Sequence, residues 1–305
     1  MTSILTNVGL ASSAGMMAVT FTHPLELTKT RLQLDQELIR KSKQQKPSYQ
    51  GWVDCMVTTI KKDGPRGLQR GLSAALLREA VFNGVRIGLY DPLLSLAHNP
   101  ATEDALPSFG LKLATGLGVG ALAAALCNPF DILKVRLQSQ GGKTGFQHEG
   151  YRHGVMRNLW NHVQREGIAG LYKGVSVNIT RGILGPGTQL PVYNAMKESE
   201  GLHRLLHTEG DGWQKHTVCA LGSAAVSIMC FNPVDVIRTR LYNQPLDEKS
   251  GKGLKYRNGR DAAMKIMSLE GPMAFYKGGL THFGRLGPHM VLVFVFLEQL
   301  KQRVE

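Results

Sequence analysis

Proline recurs in this chain at a fixed spacing, each time inside the same charged motif. HPLELTKTRLQ (23–33), NPFDILKVRLQ (128–138) and NPVDVIRTRLY (232–242) place Pro24, Pro129 and Pro233 at intervals of 105 and 104 residues. A second motif follows each: DGPRGLQRG (63–71), EGIAGLYKG (166–174) and EGPMAFYKG (270–278), offset by 103 and 104. A third mark is an arginine, at Arg78, Arg181 and Arg285. Three motifs on one period make the chain three copies of one unit. The sequence is therefore read as a single domain over 1–305, with repeats over 1–100, 101–208 and 209–305.

Each unit has the same order of parts. An apolar segment rich in small residues runs to the proline (5–24, 109–129 and 214–233), and a helix is expected to continue through the charged motif. A basic, glycine-containing stretch comes next, then a short amphipathic helix ending at Asp63, Glu166 or Glu270. A second long segment begins near Gly71, Gly174 or Gly278. Small residues such as Gly116, Gly118 and Gly120, or Gly222, Ala224 and Ala225, suit close helix approach in lipid. Each long segment carries a proline, glycine or charge, which a membrane helix tolerates when one face lines a water-filled cavity. Two crossings per unit return every unit to the same side, so the copies share one orientation. Equivalent residues then lie at equal depth around a common centre.

The net charge of +13 points to an anionic partner: nucleic acid, anionic lipid or a small anion. Six apolar segments argue against nucleic acid, since the positive charges gather in loops such as QELIRKSKQQK (36–46), on the side that follows each proline. Arg40, Lys41, Lys43 and Lys46 would be retained on the inner side by the positive-inside rule, leaving both termini on the other. The four cysteines form no C-x-x-C pair and are read as packing residues. The N-terminal stretch has no positive charge before Lys29, so it is read as mature structure and not as a leader. An enzyme is disfavoured. LQSQGGKT (137–144) lacks the first glycine of a phosphate loop, and His148 and His153 sit in a loop with no metal-ligand set. No metal and no cofactor is expected.

P-x-[DE]-x-x-[KR], then [DE]-G-x-x-x-x-aromatic-[KR]-G, three times over, resembles the signature of the mitochondrial carrier family. The resemblance spans essentially the whole chain. It implies an all-α membrane protein of six transmembrane helices, arranged as three pseudo-threefold repeats with short matrix-side amphipathic helices. It further implies a monomer in the mitochondrial inner membrane, both termini towards the intermembrane space, with cardiolipin as a lipid partner. By position, the matrix gate would pair Glu26 with Lys134, Asp131 with Arg238, and Asp235 with Lys29, and Gln33 and Gln138 would brace it. Tyr242 stands where the third unit would carry that glutamine. Pro24, Pro129 and Pro233 would be the helix kinks. The outer gate matches less well: its acid and base positions read Asp91 and Leu94, Asn194 and Lys197, and Glu298 and Lys301, so only Asp91 and Lys197 can form a full ion pair between neighbours in the first two units. A loose outer gate implies a resting state closed on the matrix side.

Arg78, Arg181 and Arg285 each lie 13 residues before the outer-gate acid position, at one level near mid-membrane. An arginine at bilayer centre costs about 2.5–3.5 kcal/mol on insertion scales, so three imply a wet cavity. Guanidinium forks match planar carboxylates. Arg86, two turns beyond Arg78, is expected to add charge above the site. Arg181 followed by Gly182 resembles the pattern of keto- and dicarboxylate carriers. GLQRGLSAALL, FNGVRIGLYDP and TQLPVYNAMK resemble the oxaloacetate subgroup. The resemblance implies transport of a small dicarboxylate or keto acid (oxaloacetate, malate, malonate or a similar anion) by alternating access. An uncoupling-type carrier, mediating proton leak or fatty-acid-dependent anion transport, remains the alternative. VRIGLYD and the all-arginine triplet favour it, whereas the first helix offers no acid before Glu26.

Overall fold

The computed structural model describes residues 4–35, 37, 48–98, 108–141, 154–198, 213–244 and 253–304. The basic positions Arg40, Lys41, Lys43 and Lys46, and both loop histidines His148 and His153, lie outside the described residues. So do the side chains of Asn194, Lys197 and Lys301.

Nine α-helices are described: α1 (Ile4–Leu34), α2 (Trp52–Asp63), α3 (Leu72–Ala97), α4 (Phe109–Ser139), α5 (Val155–Leu171), α6 (Val175–Glu198), α7 (Trp213–Asn243), α8 (Gly259–Glu270) and α9 (Gly279–Val304). The order long, short, long repeats three times. Helices α1, α4 and α7 each have 31 residues. At 1.5 Å per residue that is about 46 Å, longer than the roughly 30 Å hydrocarbon core of a bilayer. Each contains its motif proline, so the charged motif follows Pro24, Pro129 or Pro233 within one continuous helix.

Only two described stretches, Gly110–Ser139 and Pro272–Leu300, have both the length and the apolarity of an ordinary membrane span. The others carry charge, and the structure turns that charge inward. Arg31 and Arg240 are among the largest fully buried side chains, while Phe21, Leu122, Met229, Leu280 and Val291 are exposed. A water-soluble chain reverses that arrangement. A polar interior inside an apolar rim is what a lipid-embedded helix bundle around a wet cavity requires.

The helices close on themselves. Within repeats, α1 packs on α3, α4 on α6, and α7 on α9; between repeats, α3 packs on α4, α6 on α7, and α9 on α1. Helices α1, α4 and α7 also meet one another, placing their charged motifs at a common centre. The residue before each proline locks its helix to the returning loop. His23 Nε2 lies 2.9 Å from the Arg70 carbonyl, while Asn128 and Asn232 donate to the carbonyls of Leu171 and Phe275 at 2.7 Å.

Both glycines of the second motif have a backbone reason. Gly64, Gly167 and Gly271 sit at φ of 72°, 70° and 82° with ψ near 175°, a region essentially restricted to glycine. Gly71, Gly174 and Gly278, at φ of 82°, 70° and 73°, start the second long helix of each repeat. The short helix expected to end at Glu166 is joined by a further turn through Leu171, with Gly167 as the break between them.

Cys55, Cys127 and Cys219 are buried, as packing residues should be, and burial pushes the Cys55 thiol up to about 12. Cys230 departs from that reading. It is exposed beside Met229 on the outer face of α7.

Candidate transport site

The motif charges of α1, α4 and α7 converge in a buried ring. Lys29 Nζ donates to Asp235 Oδ2 at 2.7 Å, and Lys134 Nζ donates to Glu26 Oε1. The third contact is looser: Arg238 Nη1 is 3.8 Å from Asp131 Oδ2 and its Nη2 is 3.6 Å from Asp235. Asn178 of α6 fills the difference. Its amide nitrogen donates to Asp131 Oδ2 at 3.1 Å and its carbonyl accepts from Arg238 at 2.8 Å. Asn178 was not singled out in the sequence, because Ala75 and His282 hold its place in the other repeats and hide any periodic signal.

The three even-helix arginines also reach this ring. Arg78 Nε lies 3.3 Å from Asp131, Arg181 Nε donates to Asp235 Oδ1 at 2.7 Å, and Arg285 Nη1 lies 3.5 Å from Glu26. Every ring acid therefore faces one cation from a neighbouring odd helix and one arginine from the preceding even helix, and Asp235 meets Arg238 of its own helix as well. The pattern is cyclic: each arginine addresses the acid of the next repeat.

Below the ring, one contact per repeat joins the odd helices. Thr30 Oγ1 donates to Gln138 Oε1 at 2.8 Å, and Thr239 Oγ1 to Gln33 Oε1 at 2.9 Å. At the third place Val135 packs against Tyr242. The tyrosine that replaces glutamine thus comes with a valine that replaces threonine, an apolar contact for a polar one. The Tyr242 hydroxyl donates instead to Asn128 Oδ1.

A cavity of about 420 Å³ rises from this ring. Gln33, Gln138, Glu26, Lys29, Asp131, Lys134 and Arg238 line its floor, and Arg78, Arg181 and Arg285 its walls. Ala11, Val293 and Leu297 lie toward its mouth, at the end where α1 begins. The structure is thus closed at the odd-helix motifs and open at the other end.

A family model described as "Mitochondrial carrier protein" matches residues 2–100, 106–201 and 209–305. The chain belongs to the mitochondrial carrier family. It is accordingly a transporter of the mitochondrial inner membrane and not an enzyme. The human protein "Solute carrier family 25 member 35" is 33% identical over 293 residues, covering 96% of each chain. The yeast (Saccharomyces cerevisiae) "Mitochondrial oxaloacetate transport protein" is 33% identical over 299 residues, covering 95% of this chain and 87% of its own. The pig (Sus scrofa) "Putative mitochondrial transporter UCP3" is also 33% identical over 295 residues, covering 96% and 90%.

A second set of buried pairs holds the carrier's short helices to the odd ones. Arg31 lies 3.3 Å from Asp63, Arg136 pairs with Glu166, and Arg240 donates through both terminal nitrogens to Glu270, with Nη2 to Oε2 at 2.9 Å. The sequence carried the signal, an arginine two places after each ring cation and the acid of each [DE]-G pair, but gave it no role. The basic residue closing that motif behaves unevenly. Lys277 donates to Glu270 at 3.1 Å and Arg70 lies 3.4 Å from Asp63, whereas burial draws Lys173 down to about 8 against the pull of Glu166. Replacing Arg240 by Met is expected to cost about 3–5 kcal/mol, because Glu270 stays buried without its two-point partner. Thermal unfolding in detergent should show the midpoint falling by about 6 °C or more; an unchanged midpoint would show that the pair is not holding α8.

The remaining positions singled out in the sequence fall in different places. Arg86 lines the cavity and is exposed. Gly182 does not line it: a Cβ there would meet the Gly120 carbonyl at 3.2 Å and Ala124 Cβ at 3.1 Å. Its glycine serves the α4–α6 crossing. Asp91 and Glu298 are both exposed, and the cations named with them, Lys197 and Lys301, fall outside the described side chains.

Proposed function

We propose that this carrier moves small dicarboxylates or keto acids, such as oxaloacetate, malate or malonate, by alternating access. The ring of Glu26, Lys29, Asp131, Lys134, Asp235 and Arg238 is its matrix gate, and Arg78, Arg181 and Arg285 form the anion site. The observation that carries this reading is the shared acid: each arginine on the cavity wall is held by a gate carboxylate. A substrate carboxylate is chemically the same partner. When it takes an arginine, the gate acid loses one of its cations and becomes costlier to hold buried. Substrate binding thus loosens the closed gate, and only such differential binding can shift the two states. The yeast relative, named for oxaloacetate transport, supports the same substrate class. With both termini towards the intermembrane space, the open cavity faces that compartment.

The pig relative and the all-arginine triplet support a second reading, an uncoupling-type carrier. One experiment separates them. In proteoliposomes, labelled oxaloacetate, malate and malonate should exchange at a saturable rate, with no fatty-acid-dependent proton flux. Proton flux with fatty acid and no exchange of any acid would overturn the first reading in favour of the second.

A further inference from the structure

We propose that Glu79, Asn83 and Gly15 form a subsite for a hydrogen-bond-donating group, a hydroxyl or an ammonium, on the transported acid. The inference rests on the anion-carrier reading above and, within its substrate class, ranks acids bearing such a donor above those without one.

The three repeats act as internal controls. Each cavity arginine is followed by a different residue: Arg78 by Glu79, Arg181 by Gly182, Arg285 by Leu286. Arg181 and Arg285 each share the gate acid of the next repeat with a ring cation, and no acid follows them in sequence. Arg78 has the same arrangement with Asp131 at 3.3 Å, yet Glu79 Oε2 also accepts from its Nη1 at 3.0 Å. Glu79 is therefore a carboxylate that the other two repeats do without. In a cavity for anions it repels the substrate's own carboxylates. It improves binding only if the substrate presents a donor.

The surroundings of Glu79 hold it in place. Asn83 Nδ2 donates to Glu79 Oε1 at 3.2 Å, which orients the amide so that its Oδ1 is a second acceptor. Both residues line the cavity. Pro186 and Met290 occupy the place of Asn83 in the other repeats, so the pair occurs once. Helix α1 makes room for it: a Cβ on Gly15 would lie 2.8 Å from Asn83 Nδ2 and 3.1 Å from Glu79 Cγ. At the equivalent crossing in the second repeat, Gly120 meets Gly182 and the backbones close the space instead. One wall of an otherwise cationic site thus presents two acceptors side by side, next to Arg78. A carboxylate on the arginine would put a substituent on the adjacent carbon against them.

The test is a matched panel of four-carbon diacids in proteoliposomes: succinate without a donor, oxaloacetate with a carbonyl, malate with a hydroxyl, aspartate with an ammonium. For the wild type, malate or aspartate should show a KM about tenfold below that of succinate, the size expected of one hydrogen bond to a charged group in a wet site. The better of the two identifies the donor. Glu79→Gln should bring the ratio of the two KM values to within about twofold, and Gly15→Ala, which crowds the pair, should do the same. Equal KM values for donor and donor-free acids in the wild type would overturn the proposal, as would a ratio unchanged in Glu79→Gln. Absence of uptake of all four acids would instead refute the dicarboxylate reading beneath it.

Discussion

Arg181→Ala is expected to lower the reconstituted transport rate at least about 100-fold while the protein still folds. Arg181 lines the cavity and holds Asp235 at 2.7 Å in the closed state. Hydrogen bonds to a charged group are worth about 1.5–3 kcal/mol each, so losing a two-point contact to a substrate carboxylate accounts for that factor. Folding should survive because Asp235 keeps Lys29 at 2.7 Å and Arg238 at 3.6 Å. Arg181→Lys retains the charge but not the planar fork, and an intermediate rate is expected. Uptake of labelled malate, beside a thermal melt of the same preparation, measures both quantities. Wild-type uptake in Arg181→Ala would remove this residue from the substrate site.

Asp235→Ala should be the most damaging single change in the ring. Its carboxylate is fully buried and faces Lys29, Arg181 and Arg238, with His282 Nδ1 at 3.5 Å. Removing one partner of a buried ionic cluster costs about 3–5 kcal/mol, because the cations left behind remain desolvated. Loss of the folded carrier from detergent extracts, or a steep fall in its melting point, should follow. A charge swap sharpens the test. If Lys29 and Asp235 formed an isolated pair, Lys29→Asp with Asp235→Lys would restore function. In the observed cluster the swapped lysine meets Arg181 and Arg238, so no rescue is expected. Recovery of transport in the double variant would show that the arginine contact is dispensable.

The value of the repeat as evidence lies in comparison between its copies. A glutamine at two of three places and a tyrosine at the third looks like a lapse in the pattern. With Val135 against Tyr242, where Thr30 and Thr239 bond the glutamines, it becomes a matched exchange of one contact type for another. The same comparison isolates Glu79, which no symmetric counterpart explains.

Much of the architecture was legible in the order of residues alone. A period near 104 residues implies three equivalent units. Apolar runs, prolines and paired glycines place helix starts within a residue or two of those observed. The repeat places Glu26, Asp131 and Asp235 at one depth, and the family resemblance implied their partners Lys134, Arg238 and Lys29. Tertiary structure alone decided what lay between helices. It joined Arg78, Arg181 and Arg285 to the ring acids, put Asn178 between Asp131 and Arg238, and gave Gly182 to a helix crossing. Spacing along a helix reports which residues share a face and a level. Which neighbouring helix meets that face, and how closely the backbones approach there, depends on tilt and ring closure. Those follow from the packing of all six long helices together, and no single stretch of sequence carries them.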